Sequence, residues 1–256
     1  MPELPEAETI ARSLAPRLEG RRIVDVEFFA RRAHGGRPPE VAGRRIRRVR
    51  RYGKQVMIEL DRGLLFVRLG MTGSLLLRAG AGPYTRARFT LDQGTLCFDD
   101  VRQFGSIRLM DRPPEHLGPD PLEIPATQFV DRLRGRRAQV KRLLLDQSFL
   151  RGIGNIYADE ILFRARMHPK AVAARISPLR ARRLHRAIVE ILSRAIKKGG
   201  SSISDYVDGE GRQGFFQIQH KVYGKQGTPC QKCGAIIRRI VVAQRGTHYC
   251  PTCQRI

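Results

Sequence analysis

The sequence predicts an α+β protein, and three observations carry that prediction. Between residue 22 and about residue 110, eight short strand-like runs alternate with Gly-bearing turns. From residue 126 onward the apolar residues recur at helical spacing. Near the C-terminus stand two Cys-x-x-Cys pairs, Cys230/Cys233 and Cys250/Cys253. Many short strands in succession indicate a sandwich or barrel, so the expected order is a β-rich part, a helical part and a cysteine module.

Each element has its own warrant. Residues 5–19 read as a helix with Ile10, Leu14 and Leu18 on one face and Gly20 closing it. The strand candidates are Ile23–Phe29, Arg45–Arg51, Gln55–Leu60, Leu64–Leu69, Ser74–Leu77, Arg86–Leu91, Thr95–Asp99 and Ser106–Met110. Five prolines in residues 111–125 mark a linker. Thr127–Leu133, Val140–Asp146 and Asn155–Arg164 read as short helices. Ser177 is a helix cap, and Pro178 suits the first helical position. The helix that follows places Leu184, Ile188, Ile191, Leu192 and Ala195 on one face. Lys197 and Lys198 complement its dipole, and Gly199-Gly200 stops it. Residues 201–220, rich in Ser, Gly and Gln, read as a long loop, and such a loop in a compact domain is usually functional or disordered.

Composition narrows the function classes. Over 256 residues, 48 Lys and Arg face 24 Asp and Glu, giving a net charge of +24. The excess is spread along the chain, so a polyanion, nucleic acid first, is the simplest partner. No apolar run approaches the ~20 residues that span a bilayer, so no membrane partner is expected. The acidic start lacks the apolar core of a secretory signal, so a reducing compartment and unpaired thiols are expected. Cys97, inside an apolar run, reads as a small buried hydrophobe.

Several constellations bear chemistry. The two Cys pairs, with residues 234–249 between them, match a four-cysteine zinc ribbon in which one Zn²⁺ is structural, because no coordination position stays open. The chain opens Met1-Pro2-Glu3. Removal of Met1 is expected and would leave a secondary amine beside a carboxylate. An α-amino group has a reference pKa of about 8, against about 10.4 for lysine, so more of it is nucleophilic at neutral pH. Such an amine suits Schiff-base catalysis. Gly152-Ile153-Gly154-Asn155 runs into a helix whose N-terminus can take a phosphate, with Lys141 on the preceding helix. Met71 and Phe104 sit on basic loops that each follow a strand, where apolar side chains can wedge between base steps. The arginine-rich run 44–51 reads as a solvated face.

In this order, Pro2-Glu3-Leu4-Pro5-Glu6, Arg51-Tyr-Gly-Lys54, Leu69-Gly-Met71-Thr-Gly, Asp100-Val-Arg102-Gln-Phe104-Gly, Gly152-Ile-Gly-Asn155-Ile-Tyr-Ala-Asp-Glu160 and the four-cysteine finger span the chain. Together they make it resemble the bacterial formamidopyrimidine-DNA glycosylases, also called 8-oxoguanine DNA glycosylases. The resemblance implies an N-terminal β-sandwich flanked by helices (1–112), a linker (113–125), a helix–two-turns–helix domain with a lesion-capping loop (126–224) and a zinc-finger β-hairpin (225–256). DNA would lie in a basic cleft between the lobes. It implies removal of oxidised purines from double-stranded DNA, followed by β,δ-elimination. The implied catalytic set is Pro2 as nucleophile, Glu3 as acid/base, Lys54 as phosphate contact and proton-transfer aid, and Arg245 gripping a phosphate at the lesion. Met71, Arg102 and Phe104 would fill the gap left by the everted base. Lys141 and Asn155 would hold phosphates, with Glu6, Tyr84 and Arg136 as further DNA contacts. The loop Ser201–Gln217 would close over the base. A monomer in the bacterial cytoplasm, associated with the nucleoid, is expected.

Two positions depart from the family pattern: Arg68 and Tyr84 stand where histidine is frequent. Two other readings compete. Endonuclease VIII, which prefers oxidised pyrimidines, usually has Gly where this chain has Leu4. A non-catalytic zinc-ribbon DNA-binding protein fits the charge and the finger, but leaves Pro2-Glu3 and Lys54 without a task.

Overall fold

The computed structural model describes residues 2–36, 38–202 and 206–256. The alternation read from the sequence is realised in β6 (Thr85–Leu91), where every second residue turns inward. With β1 (Ile23–Phe28), β5 (Gly73–Leu77) and β7 (Thr95–Asp100), it forms an antiparallel sheet in the order β1-β6-β7-β5. A second four-stranded sheet runs β2-β3-β4-β8, from β2 (Ile46–Tyr52), β3 (Gln55–Leu60), β4 (Leu64–Arg68) and β8 (Ser106–Met110). The inward faces share one apolar core: Val49, Val56, Ile58, Leu65 and Val67 from one sheet, Leu75, Phe89, Leu96 and Phe98 from the other. Helix α1 (Leu4–Leu18) buries Ile10, Ala11, Leu14 and Leu18 in the same core. Burial of each large apolar side chain contributes about 1.5–3 kcal/mol.

The arginine-rich run is the strand β2. Ile46 and Val49 point inward, while most of the arginines stay at the surface. Arg51 turns back to Glu8 on α1, 2.9 Å away, which pins the helix to the sheet. A short helix, α2 (Arg31–His34), had no signal in the sequence reading.

Two compact units emerge, and each is discontinuous in sequence. The first comprises residues 1–115 and 196–217, the second 116–195 and 218–256. This differs from the expected division, which put all of 126–224 in the helical part. The reason is local: Gly209 N–H donates to Ser13 Oγ (3.0 Å), Leu77 N–H donates to the Gly209 carbonyl (3.1 Å), and Tyr206 joins the sandwich core. Residues 203–205 of the expected capping loop, and Met1, lie outside the described residues.

The second unit holds α3 (Ala126–Leu133), α4 (Val140–Leu145), α5 (Asn155–Arg164), most of α6 (Pro178–Lys197) and the hairpin β9 (Arg238–Val242) and β10 (Arg245–Tyr249). α6 buries the five apolar residues expected of it, with Ala181 and Ala187 besides. No described helix is long and apolar enough to cross a membrane.

Candidate functional site

In the first unit, Glu3 is the N-cap of α1 and is buried. A reciprocal capping box fixes it: the Glu3 carboxylate accepts the Glu6 N–H, and the Glu3 N–H donates to Glu6 Oε2 at 2.8 Å. The other Glu6 oxygen accepts the Ser201 N–H at 2.7 Å. Both Glu6 oxygens thus accept backbone N–H groups inside the protein. Glu6 ties the start of α1, and Pro2 just before it, to the root of the 201–217 segment. Tyr206 O–H also donates to the Glu6 carbonyl (3.4 Å), and burial pushes the tyrosine pKa well up.

Lys54 occupies the second position of the two-residue turn between β2 and β3. Gly53 precedes it with φ of 63°, the left-handed value that this hairpin turn asks of glycine at its first position. Tyr84, at the entry to β6, is about half exposed, and Arg136 is exposed just after α3.

Met71, Arg102 and Phe104 come together on two adjoining loops. Met71 and Phe104 are 41% and 47% exposed, unusual for side chains of their size, and the Arg102 guanidinium lies 4.9 Å from the centre of the Phe104 ring. Beneath them lies Asp100, buried at the end of β7. One of its oxygens accepts the Gly105 N–H (2.7 Å) and the other accepts the Thr72 hydroxyl (2.5 Å). Thr72 Oγ1 in turn accepts the Arg102 N–H (3.1 Å). Arg68, one of the departures, donates to the Phe104 carbonyl at 3.1 Å.

In the second unit, Lys141 is fully buried. Its ammonium donates to Asp159 Oδ1 (2.6 Å) and Thr247 Oγ1 (2.8 Å), with the Gly246 carbonyl at 3.5 Å. Those acceptors engage its three N–H donors, so Lys141 holds β10 to α4 and α5. Asn155 Nδ2 donates to the Gly246 carbonyl (3.0 Å), while its buried Oδ1 has no partner among the described residues. Arg245 is exposed at the start of β10, next to Ala243 and Gln244, whose φ values of 50° and 59° make a strained two-residue turn.

The four cysteines meet as expected: their Sγ atoms all lie within 4.8 Å of one another. A tetrahedral zinc with bonds of ~2.3 Å needs sulfurs about 3.8 Å apart, so the set fits one ion. Burial pushes the Cys253 thiol up to about 12, while a backbone N–H at Ala235 draws Cys233 down to about 7. Bound zinc resolves this by holding all four as thiolates. Glu160 anchors the approach to the finger by accepting the N–H groups of Lys221, Val222 and Tyr223. Burial nevertheless raises its pKa.

Sequence reasoning missed Asp100, Thr72, Asp159 and Thr247. A signal existed for Asp100: it shares the inward parity of Leu96 and Phe98 on β7. Asp159 is a carboxylate in the middle of a largely buried helix, α5.

Known proteins match the chain over its whole length. Residues 1–107 match the formamidopyrimidine-DNA glycosylase N-terminal domain, 117–207 the H2TH domain of the same enzymes, and 227–256 the zinc finger found in FPG and IleRS. A formamidopyrimidine-DNA glycosylase of Solibacter usitatus is 52% identical, with both chains covered in full. The FPG (MutM) protein of Thermus thermophilus superposes with a TM-score of 0.90 at 42% identity, covering 99% of this chain and 98% of that one. A Lactococcus lactis FPG variant solved with DNA containing Fapy-dG gives 0.91 at 34% identity, with both chains covered in full. On this sequence identity, domain order and fold, the chain belongs to the formamidopyrimidine-DNA glycosylase family.

Proposed function

We infer that the chain is a base-excision repair glycosylase and lyase that uses Pro2 as its nucleophile on oxidised purines in duplex DNA. The observation that carries this reading is the N-terminus. Pro2 is buried immediately before α1, and the Glu3–Glu6 capping box fixes the carboxylate next to it. While Met1 is attached, the Pro2 nitrogen is an amide; its removal creates the secondary amine. That amine attacks C1′ of the damaged nucleotide, the N-glycosidic bond breaks, and the base leaves with its electron pair and a proton. Ring opening gives an iminium between Pro2 and the sugar. Glu3 supplies and accepts protons at the sugar. Loss of a proton from C2′ expels the 3′ phosphate, and a second elimination expels the 5′ phosphate.

Lys54 and Arg245 supply charge for phosphates, and Asn155, with its unpartnered Oδ1, lies beside the carbonyl that precedes Thr247. Tyr84 and Arg136 are exposed donors suited to the backbone. Met71, Arg102 and Phe104 form an apolar and cationic wedge for the vacated stack: unstacking costs a few kcal/mol, and inserted side chains recover part of it. Arg102 presents forked donors to the base left opposite. The DNA partner is double-stranded, and the enzyme acts as a monomer.

Borohydride trapping on a duplex holding 8-oxoguanine opposite cytosine tests this. Reduction converts the iminium into a stable amine, and mass spectrometry should locate the bond at Pro2. Tight binding with no trapped complex would overturn the reading. Trapping only on oxidised thymine would shift it to the pyrimidine enzyme.

A further inference from the structure

We propose that Asp100 is a positioning residue that makes one rigid wedge of two separate loops, so that its effect is felt when a stacked base must be everted. The inference rests on the wedge function proposed above for Met71, Arg102 and Phe104.

The two loops have no covalent reason to move together. One follows β4 and carries Met71; the other follows β7 and carries Arg102 and Phe104. The buried Asp100 carboxylate joins them by dividing its oxygens. Oδ2 accepts the Gly105 N–H, adjacent to Phe104. Oδ1 accepts the hydroxyl of Thr72, adjacent to Met71. Thr72 then passes the constraint to Arg102 by accepting its N–H. All three wedge residues thus have a neighbour, or their own backbone, bonded within two steps of one carboxylate.

The backbones are in contact as well. Gly70 has φ of 66°, and a Cβ there would lie 2.6 Å from the Phe104 carbonyl carbon. Only glycine lets the loops approach this closely. Arg68 adds the bond to the Phe104 carbonyl, which gives this departure from the family pattern a task on the wedge loop. Two loops joined at this many points resist the load of unstacking as one body. Asp100 does not touch the reacting atoms. It acts by keeping exposed apolar groups where inserted side chains are needed.

The test compares two substrates with wild type, Asp100→Ala and Thr72→Val. Thr72→Val keeps the side-chain shape, sits at a partly exposed position and deletes only the relay, so it stands in if Asp100→Ala folds poorly. One substrate is a duplex with 8-oxoguanine opposite cytosine, where a stacked, paired base must be everted. The other is the same duplex with a preformed abasic site, where no base needs to leave the stack. Both variants should lose at least about tenfold in single-turnover rate on 8-oxoguanine and less than about threefold on the abasic site, because only the first substrate carries the cost of unstacking. Equal losses on both substrates would reduce Asp100 to a general structural residue and overturn the proposal. A wild-type protein that processes neither substrate would instead overturn the functional reading on which the proposal rests.

Discussion

Two exposed arginines, Arg102 and Arg245, stand at loop tips on different units and are held in opposite ways. Arg102 is held through Thr72 by a buried carboxylate, Asp100, that accepts from neutral donors, an N–H and a hydroxyl. Arg245 begins a strand fixed by the buried Lys141–Asp159 ion pair, by Thr247 and by the zinc cluster at the far end of the hairpin. A support of neutral donors around one carboxylate fixes a loop while leaving apolar groups bare. A buried ion pair tolerates no loosening, because either charge alone is costly in the interior. That contrast accords with the roles proposed above, a base for Arg102 and a phosphate for Arg245.

The largest effect is expected at Lys141. Lys141→Met removes the ammonium from Asp159 and leaves that buried carboxylate only the backbone N–H and ring of His248, so denaturant unfolding should show a loss of roughly 3–5 kcal/mol. Lys141→Met/Asp159→Asn should recover part of it. An unchanged midpoint in the single variant would mean that the hairpin is held by zinc alone.

His220 gives a second, smaller handle on the same unit. Burial lowers its pKa from 6.5 to about 4, so the fold keeps it neutral. Above pH 6.5 both folded and unfolded forms are neutral. As pH falls from 6.5 toward 4, only the unfolded state takes up the proton, and stability falls, levelling below about pH 4. With zinc in excess, His220→Gln should remove a slope amounting to on the order of 3 kcal/mol across that window. A wild-type profile that is flat over the same window would contradict the assignment.

The smallest effect separates the arginines themselves. Arg245→Ala should weaken DNA binding about tenfold and reduce the slope of log K against log salt by about 1, as loss of one phosphate contact requires. Arg102→Ala should leave that slope unchanged while relaxing preference for cytosine opposite the lesion. Equal slope changes in both would place both on phosphates.

Much of this was legible in the chain. The strands declared themselves by alternation, as β6 shows, and α6 by its cap, its face and its glycine stop. The zinc ligands were visible because thiolate pairs at that spacing have few other uses. What stayed hidden depended on partners far away in sequence. Lys141 read as a cation for a phosphate, with no sign in the sequence that Asp159 and Thr247 would surround it. Glu6 looked like part of a motif until Ser201 came to it. Local pattern reports which face is buried. It does not report which polar group another segment will bring to that face.

The bond between Ser201 and Glu6 closes a span of 195 residues. Its consequence is one of timing. The unit that carries Pro2 draws its last segment from residues 196–217, after the entire first stretch of the other unit has been made. During synthesis the sandwich must wait, with the site of Tyr206 in its core unfilled, until most of the chain has left the ribosome. Contacts this distant are slow to form, because the loop between them must be closed before they contribute. The packing around the start of α1, next to Pro2, is thus completed late, after most helices of the other unit have already been made.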